Sequence, residues 1–510
     1  MVMSNAFYQS GLKSLTIPKN MIYIGEYAFV GLPNLTAFRV DAANPFYKTI
    51  DGLLTDIAGR KLIAVPAGRT GTLTVPAGIE VIGFGAFEDS RMTGVSFLPD
   101  ANILSFGYRA FYGSAITEMH VPASVVAIDY YAFADCRDLT RVTFAEDNQL
   151  RGIYEGAFYG CKSLSDITIP DSIVEISDFA FYGCNALDKL PISETNEVKG
   201  IYDYAFAYTG IRELTVPETL YDIGSYAFMG LRVREITVPD TNAQELVIGL
   251  GAFADCQNLE EITLPFIGAS FEDTDVTWFG YIFGAGGYEA NQAYVPESLR
   301  KVTITEGITV IGASAFYNLS RIEEMSIPHS VTVIDINDPY GRGAFEGTTA
   351  KYELTNTILP INREYDFEKG EYVQTYTVKQ YLFGSGLCGQ LTLAEGVTSI
   401  DSFGFADCWH LTDISLPSSV KSIDWYAFYA CRSLTDIVIP NNVTTIGYRA
   451  FDGCESLASI TLPNALTVIE DEAFAGCRRL VSVCNNSDLT LTIGSDAHGG
   501  VAYHAWMIVD

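Results

Sequence analysis

One pattern of apolar and polar positions repeats along the whole chain. The unit reads Ala-Phe-x-x-Cys-x-x-Leu-x-x-Ile-x-Ile-Pro and continues with a second apolar pair, Val-x-x-Ile, before the next Ala-Phe. Its length is about 23 residues, and clear copies occupy residues 132–144, 157–170, 427–440 and 450–463. Such a repeat predicts a stack of similar structural units and argues against several independent globular domains.

The two apolar segments of the unit predict the two sides of each turn. In Leu-x-x-Ile-x-Ile-Pro the last apolar residues alternate with polar ones, which is the period of a short strand with one buried face, and Pro ends that strand. The Val-x-x-Ile pair and the Ala-Phe anchor are expected to form the opposite wall. One turn cannot bury its own apolar face, so each turn must pack on its neighbours. The sequence therefore predicts a solenoid with a parallel sheet along one side.

The number of anchor phenylalanines gives the expected number of turns. Most of them lie 22 to 25 residues apart, and Phe283 and Phe383 fit the series as degenerate members. We expect about 19–20 turns in one continuous, monomeric domain over residues 1–510. The regular anchors are Phe7, Phe29, Phe87, Phe111, Phe133, Phe158, Phe181, Phe206, Phe228, Phe253, Phe316, Phe345, Phe405, Phe428, Phe451 and Phe474.

Three stretches depart from the period, and we expect each to be a longer loop that projects from one edge. Residues 41–80 contain an extra turn and an Asp51-Gly52 signal that predicts a hairpin. Residues 265–299 are rich in glycine and aromatic residues, and residues 338–380 carry a charged, loop-like segment. The candidate contacts for a partner in the second stretch are Trp278, Phe279, Tyr281 and Tyr288.

The repeated Cys-x-x-Leu-x-x-Ile-x-Ile-Pro unit resembles the BspA-like leucine-rich-repeat family over nearly the whole chain. The resemblance implies a parallel sheet on the concave side, with short strands, turns and 3-10 segments on the convex side. It also implies secretion or surface attachment, and adhesion to host proteins or other cells. Residues 5–8 read as the middle of a repeat, and no signal peptide or anchor is visible. We therefore expect this chain to be a piece of a longer protein.

The charge of the chain limits the class of partner. The formal net charge is −31. Nucleic acids and anionic membrane surfaces would be repelled, so neither is expected as a partner. There is no apolar run long enough to insert into a membrane. An extracellular protein or a glycan is the expected partner.

The cysteines form a second periodic column. Eight of the ten follow an anchor Phe by three residues, and Ser, Thr or Leu takes the same place in other turns. These substitutes favour free, buried thiols over the alternative, a disulfide framework. The five histidines are scattered, and no Cys-x-x-Cys pair or catalytic motif is present. We expect no metal, no cofactor and no enzymatic activity.

The outward positions of the strands carry the candidate binding residues. Acids precede the first inward residue of eight turns, and a Thr or Ser often follows two positions later. Stacking would place these acids in one uniform acidic column, with no Lys or Arg among them, beside a column of hydroxyls. A solvated sheet face explains the pattern equally well, so both interpretations stay open. The acids are Glu118, Asp166, Glu213, Glu235, Glu261, Glu324, Asp413 and Asp436.

These observations favour a non-enzymatic binding or adhesion scaffold. A glycan-binding module is the first alternative, because many tyrosines flank the Ala-Phe anchors and could stack on sugar rings, although packing between turns explains them as well. The second alternative is a carbohydrate-active enzyme on a parallel β-helix. Such an enzyme needs acidic and basic residues gathered at one level, which the acidic column does not predict.

Overall fold

The computed structural model describes residues 1–8, 10–193, 195–273, 275–336 and 342–509. These residues form a β-solenoid of about 21 turns of about 23 residues. The predicted solenoid is confirmed, with slightly more turns than expected. The chain divides into two compact units, residues 1–234 with 246–257, and residues 235–245 with 258–510. That they act as one continuous domain stays a prediction.

In the first unit a regular turn contributes one strand to each of two sides, which we call the strand face and the wall. Neighbouring strands are parallel on both sides, apart from three successive antiparallel strands at the edge of the wall. The strand face comprises Leu15–Ile17, Phe38–Val40, Thr70–Thr74, Arg91–Ser96, Glu118–Val121, Arg141–Phe144, Asp166–Ile167 and Leu214–Thr215. The wall comprises Tyr47–Ile50, Leu53–Asp56, Lys61–Ala64, Val81–Ile82, Ser105–Phe106, Ala127–Ile128, Gly152–Ile153, Glu175–Ile176, Gly200–Ile201, Asp222–Ile223 and Val247–Ile248.

The second unit repeats this arrangement. Its strand face comprises Glu235–Thr237, Glu261–Leu264, Lys301–Ile304, Glu324–Ser326, Cys388–Leu393, His410–Ser415, Asp436–Val438, Ser459–Leu462, Ser482–Asn485 and Met507–Val509. Its wall comprises Val310–Ile311, Val333–Ile336, Thr377–Val378, Ser399–Ile400, Ser422–Ile423, Thr445–Ile446 and Val468–Ile469. A long strand, Thr357–Asp366, pairs with both sides and with Glu371–Thr375. The helical segments are Phe279–Phe283, Tyr288–Ala290, Asn291–Tyr294 and His498–Gly500.

Most Ala-Phe anchors close their turns in the same way. The anchor amide donates to the alanine carbonyl of the next turn, as Phe133 does to Ala157 at 2.8 Å. The residue before Ala and the residue two after Phe adopt positive φ, for example 54° at both Tyr131 and Asp135. Glycine often takes the second of these positions because it has no Cβ to strain there, as at Gly160 (φ 69°). The anchor rings stack down the interior, with centroids 5.3 Å apart for Phe133 and Phe158.

All ten cysteines are free thiols, as predicted, and the eight in the repeat column are buried. Each column thiol donates to a backbone carbonyl of the preceding turn. Cys431 Sγ reaches the Phe405 oxygen at 3.1 Å, and Cys454 Sγ reaches that of Phe428 at 3.2 Å. Burial raises the pKa of the Cys256 thiol to about 12. The column cysteines therefore serve as small packing residues that also satisfy a carbonyl.

The three departures from the period have different structures. The hairpin predicted at Asp51-Gly52 is confirmed, since Tyr47–Ile50 and Leu53–Asp56 pair antiparallel. Within residues 338–380, residues 338–341 lie outside the described residues, and a second hairpin, Thr357–Asp366 with Glu371–Thr375, extends the strand of its turn. Phe383 occupies an anchor position, as predicted, with Leu382 before it and its ring stacked on Phe405 at 5.0 Å.

Residues 265–299 do not form a projecting loop throughout, which corrects that prediction. Short helical segments bury Phe279, Ile282 and Phe283, each 1% exposed. The Phe279 amide donates to the Ala315 carbonyl at 2.8 Å, which is the hydrogen bond of an anchor. Phe279 is therefore the anchor of this turn, and Phe283, which we assigned to that place, packs beside it at 5.5 Å. The period was hidden because Trp278 replaces the usual alanine.

Candidate binding surface

All eight predicted acids are exposed and lie on the strand face, six of them as the first residue of a strand, Glu213 just before one and Asp413 within one. Basic residues occupy the same column in other turns, so the expectation of a uniform acidic column is wrong. In the first unit Arg141 lies between Glu118 and Asp166 in the register, and its Nε is 3.0 Å from an Asp166 carboxylate oxygen. Lys189 faces Glu213 in the same way. The acids there belong to a ladder of mixed charge.

The second unit shows this ladder over five successive turns. The register runs through Glu235, Glu261, Lys301, Glu324 and Lys351. Lys301 Nζ lies 3.1 Å from a Glu261 carboxylate oxygen, and this hydrogen bond raises the pKa of Lys301. Most of these acids therefore have a cation on the next strand. The neighbouring hydroxyl column is confirmed, with Thr237, Thr263, Thr303 and Ser326 in register.

Asp413 and Asp436 differ from the other acids. They are directly opposite each other on adjacent strands, both are exposed, and no cation among the described residues forms an ion pair with either. Asp436 Oδ1 accepts hydrogen bonds from Ser459 Oγ at 3.0 Å and from the Ile437 amide at 2.9 Å. Both acids line a shallow depression of about 510 Å³ with Ser415, Ser418, Asn441 and Val438, whose side chain is 63% exposed.

A second depression, of about 670 Å³, lies on the strand face of the first unit. It forms where Gly94 takes the column position beside Glu118 and contributes no side chain. Its lining combines the acid Glu118 with Arg141 and His120, whose Nδ1 is 2.9 Å from Thr143 Oγ1. The charges here are mixed, whereas the charged groups lining the Asp413–Asp436 depression are acidic alone.

The aromatic candidates of residues 265–299 are only partly brought together. Trp278 and Tyr281 make an edge contact at 6.3 Å, and Trp278 Nε1 donates to the Ala285 carbonyl at 2.9 Å. Trp278 and Tyr288 line a cleft of about 620 Å³ together with Asp335, and burial raises the pKa of that carboxyl. Phe279 is a core residue and is not a candidate contact, which corrects that prediction.

Many tyrosines beside the anchors pack between turns. Tyr159 and Tyr182 stack at 5.0 Å, and Tyr204 and Tyr226 stack at 4.9 Å. The sequence analysis missed a different aromatic group at the end of the second hairpin. There Tyr365 contacts Phe367 at 5.1 Å and Tyr372 at 5.2 Å, and Phe367 is 89% exposed. Three aromatic residues around the turn of a charged segment were the available signal.

The part of the chain that the structure describes contains no group of His, Cys, Asp and Glu side chains that could hold a metal ion. It also contains no helix with the length and apolar character that crossing a membrane requires.

Comparison with solved structures finds other leucine-rich-repeat proteins. One from Bacteroides ovatus is 26% identical, covers 68% of this chain and 86% of its own, and has a TM-score of 0.38. A leucine-rich cell surface protein from Faecalibacterium prausnitzii is 21% identical, covers 90% and 98%, and has a TM-score of 0.36. The pneumococcal vaccine antigen PcpA is 18% identical, covers 88% and 89%, and has a TM-score of 0.29.

No curated protein sequence matches this chain. The model of the BspA type leucine-rich repeat region matches residues 1–47, 69–185, 147–260, 290–362 and 376–500, in six copies. These ranges cover most of the chain and coincide with the stacked turns described above. The chain therefore belongs to the BspA-type leucine-rich-repeat family.

Proposed function

We propose that this chain is a non-enzymatic binding scaffold, at the cell surface or secreted, that recognises a protein partner through its strand face. The observation that carries the proposal is the exposed pair Asp413 and Asp436, which has no cationic partner among the residues that the structure describes and lines a depression. Family membership supports the extracellular location, and the net charge of −31 argues against nucleic acid.

The arrangement of this pair costs stability, and packing of the solenoid does not require it. Adjacent parallel strands lie about 4.8 Å apart, so two carboxylates opposite each other repel. Glu235 and Glu261 are also opposite each other, but Lys301 on the next strand pairs with Glu261, and Arg141 pairs with Asp166 in the same way. Ser459 and Ser482 occupy the same column two and three strands after Asp413. A neutral side chain is therefore compatible with the position, which favours a binding role for the acids.

The depression fits a basic patch that also carries an apolar group. The two carboxylates would pair with Lys or Arg side chains of the partner, and the exposed Val438 offers apolar contact between polar edges. Stacked turns hold these groups in fixed positions before the partner arrives. Binding then avoids the loss of conformational entropy that ordering a flexible loop would bring.

A binding screen tests the proposal. The chain would be tested against a panel of purified extracellular-matrix proteins and against a glycan array. For each ligand found, the variant Asp413→Asn with Asp436→Asn should bind at least roughly tenfold more weakly, because it removes charge and keeps shape. The matched control is Glu455→Gln with Asp488→Asn, which removes two exposed charges outside the strand face and should leave affinity unchanged.

Three results would contradict the proposal. The first is binding to glycans alone, which would support the glycan-binding alternative. The second is a protein partner whose affinity falls equally in the control, since the effect would then come from net charge. The third is a partner that both variants bind as tightly as the unmodified chain does.

A further inference from the structure

A cleft lies on the wall of the first unit, where residues 41–80 interrupt the repeat. Its volume is about 380 Å³, which is within the range of ligand-binding sites. Aromatic and small apolar side chains form most of its lining, and two acids and one lysine complete it. The side chains considered below are Tyr27, Phe29, Ile63, Phe84 and Glu88. None of them belongs to the strand face, so this site is separate from the function proposed above.

The cleft results from a mismatch between the strands and the turns of the wall. The hairpin Tyr47–Ile50 with Leu53–Asp56 adds two antiparallel strands beside Lys61–Ala64. These added strands are followed by only one turn, which is shorter than a regular turn. In that turn Val65 takes the place of an anchor Phe, and its amide donates to the Ala86 carbonyl at 2.8 Å. The turn that carries Phe29 therefore has no regular turn after it.

Two backbone donors are left open by this mismatch. In a regular turn the amide of the anchor Phe donates to a carbonyl of the next turn, as the Phe7 amide does to the Ala28 carbonyl at 3.1 Å. The amide two residues earlier does the same, as the Asn5 amide does to the Glu26 carbonyl at 3.1 Å. The amides of Tyr27 and Phe29 occupy these two positions, but neither has an acceptor among the described residues. Phe29 is only 8% exposed, and a buried donor without an acceptor is costly.

The cleft also contains a carboxylate with one unsatisfied oxygen. Glu88 is 6% exposed, and its Oε1 accepts from Arg109 at 2.5 Å. Its Oε2 has no partner among the described residues. Gly85 gives this oxygen room, since a Cβ there would lie 2.9 Å from it. Burial outweighs the attraction of Arg109 and raises the pKa of Glu88 to about 7.

We propose that the cleft binds a peptide segment of a protein partner in the conformation of a regular Ala-Phe turn, whose carbonyl oxygens accept from the amides of Tyr27 and Phe29 and whose aromatic side chain packs against Phe84 and Ile63. In a regular turn the two corresponding amides donate to two carbonyls of the next Ala-Phe turn, as Asn5 does to Glu26 and Phe7 does to Ala28. The aromatic lining suits a ring, with Tyr27 and Phe84 already in an edge contact at 4.7 Å. The bound segment would occupy the place of the missing wall turn.

A peptide with the sequence of a regular wall turn is the direct probe. We would use acetylated and amidated Ser-Tyr-Ala-Phe-Met, the sequence of residues 225–229, and the same peptide with Ala in place of Phe. Calorimetry should show saturable binding of the first peptide and at least roughly tenfold weaker binding of the second. Hydrogen exchange of segments that contain Tyr27 and Phe29 should slow when the first peptide is bound.

Two variants of the chain locate the site. Ile63→Trp fills the cleft and should weaken binding of the first peptide at least roughly tenfold. Val126→Trp adds the same ring at a position of the same wall that is 51% exposed and lies outside the cleft, so binding should not change.

The proposal is overturned if no saturable binding occurs, if Phe and Ala peptides bind equally, or if Ile63→Trp binds as the unmodified chain does. Should Ile63→Trp fail to fold by circular dichroism, hydrogen exchange of the unmodified chain decides alone. Unchanged exchange at residues 26–30 with the first peptide present would then overturn the proposal. None of these results depends on whether the strand face binds a partner.

Discussion

Within residues 388–485, the interior positions repeat the same residue from turn to turn, whereas the outward positions of the strand face vary. In the interior every turn repeats the same residue, and the rings of Phe405, Phe428, Phe451 and Phe474 stack at 5.0–5.1 Å. On the strand face, one column of outward residues in register changes from Gln390 through Asp413 and Asp436 to Ser459 and Ser482. The repeated residues are those that touch the next turn, and the variable ones face solvent.

This difference indicates that the outward residues of the strand face, and not the interior residues, determine which partner is recognised. Each interior ring fills the space between two sides of a turn, so a change there affects neighbours on both sides. An outward side chain meets no such restriction and can differ in every turn. A departure from the charge pattern on the strand face, such as the unpaired Asp413 and Asp436, is therefore informative about binding.

The largest expected effect is on the interior. Phe428 is fully buried, and Phe428→Ala should lower the free energy of unfolding by about 3–5 kcal/mol through lost contacts and a cavity. Phe367→Ala removes the same side chain from a site that is 89% exposed, and should change stability by less than about 0.5 kcal/mol. Urea denaturation measures both. Equal losses for the two variants would contradict the distinction between interior and surface.

The second effect concerns access to the cysteine column. Burial keeps its eight thiols from reagents and raises the pKa of members such as Cys256, so they should not react in the folded chain. Cys388 and Cys484 are half-buried and should react first. Titration with a thiol reagent should find about two groups before unfolding and ten afterwards. If denatured, unreduced protein shows almost none, the column is disulfide-bonded and this description is wrong.

The smallest effect compares two acids in the same structural position. Asp436→Asn removes repulsion from Asp413 and keeps the oxygen that accepts from Ser459, so it should raise the melting temperature slightly. Glu324 lies between Lys301 and Lys351 in the register, so Glu324→Gln removes attraction on both sides and should lower the melting temperature slightly. Both shifts should shrink with added salt, because the charges are exposed. Shifts of the same sign would show that the register of charges is irrelevant to stability.

The regular turns were predictable from sequence because their determinants are local. The Leu-x-x-Ile-x-Ile-Pro segment, the anchor Phe and the cysteine column each recur within one turn, so periodicity alone reveals their place. Neighbours across an interruption were not predictable. Lys301 lies beside Glu261 although 40 residues separate them, because residues 265–299 lengthen that turn.

The cleft beside Phe29 was hidden for a related reason. The Asp51-Gly52 signal revealed the hairpin, but it did not reveal that two added strands lack matching turns. Likewise the eight acids were found, while their cations were not, since the register that pairs them is a property of stacked turns. The position of the candidate residues followed from sequence, and their charge environment required the structure.

The association rate constant of a protein partner tests the central claim most directly. With a partner from the matrix-protein screen, the rate should rise as salt is lowered, and Asp413→Asn with Asp436→Asn should reduce both the rate at low salt, by roughly tenfold, and its dependence on salt. Glu261→Gln with Glu324→Gln, acids that have Lys301 beside them, should have a much smaller effect. Equal reduction by the two pairs would contradict the claim that the unpaired acids form the binding site.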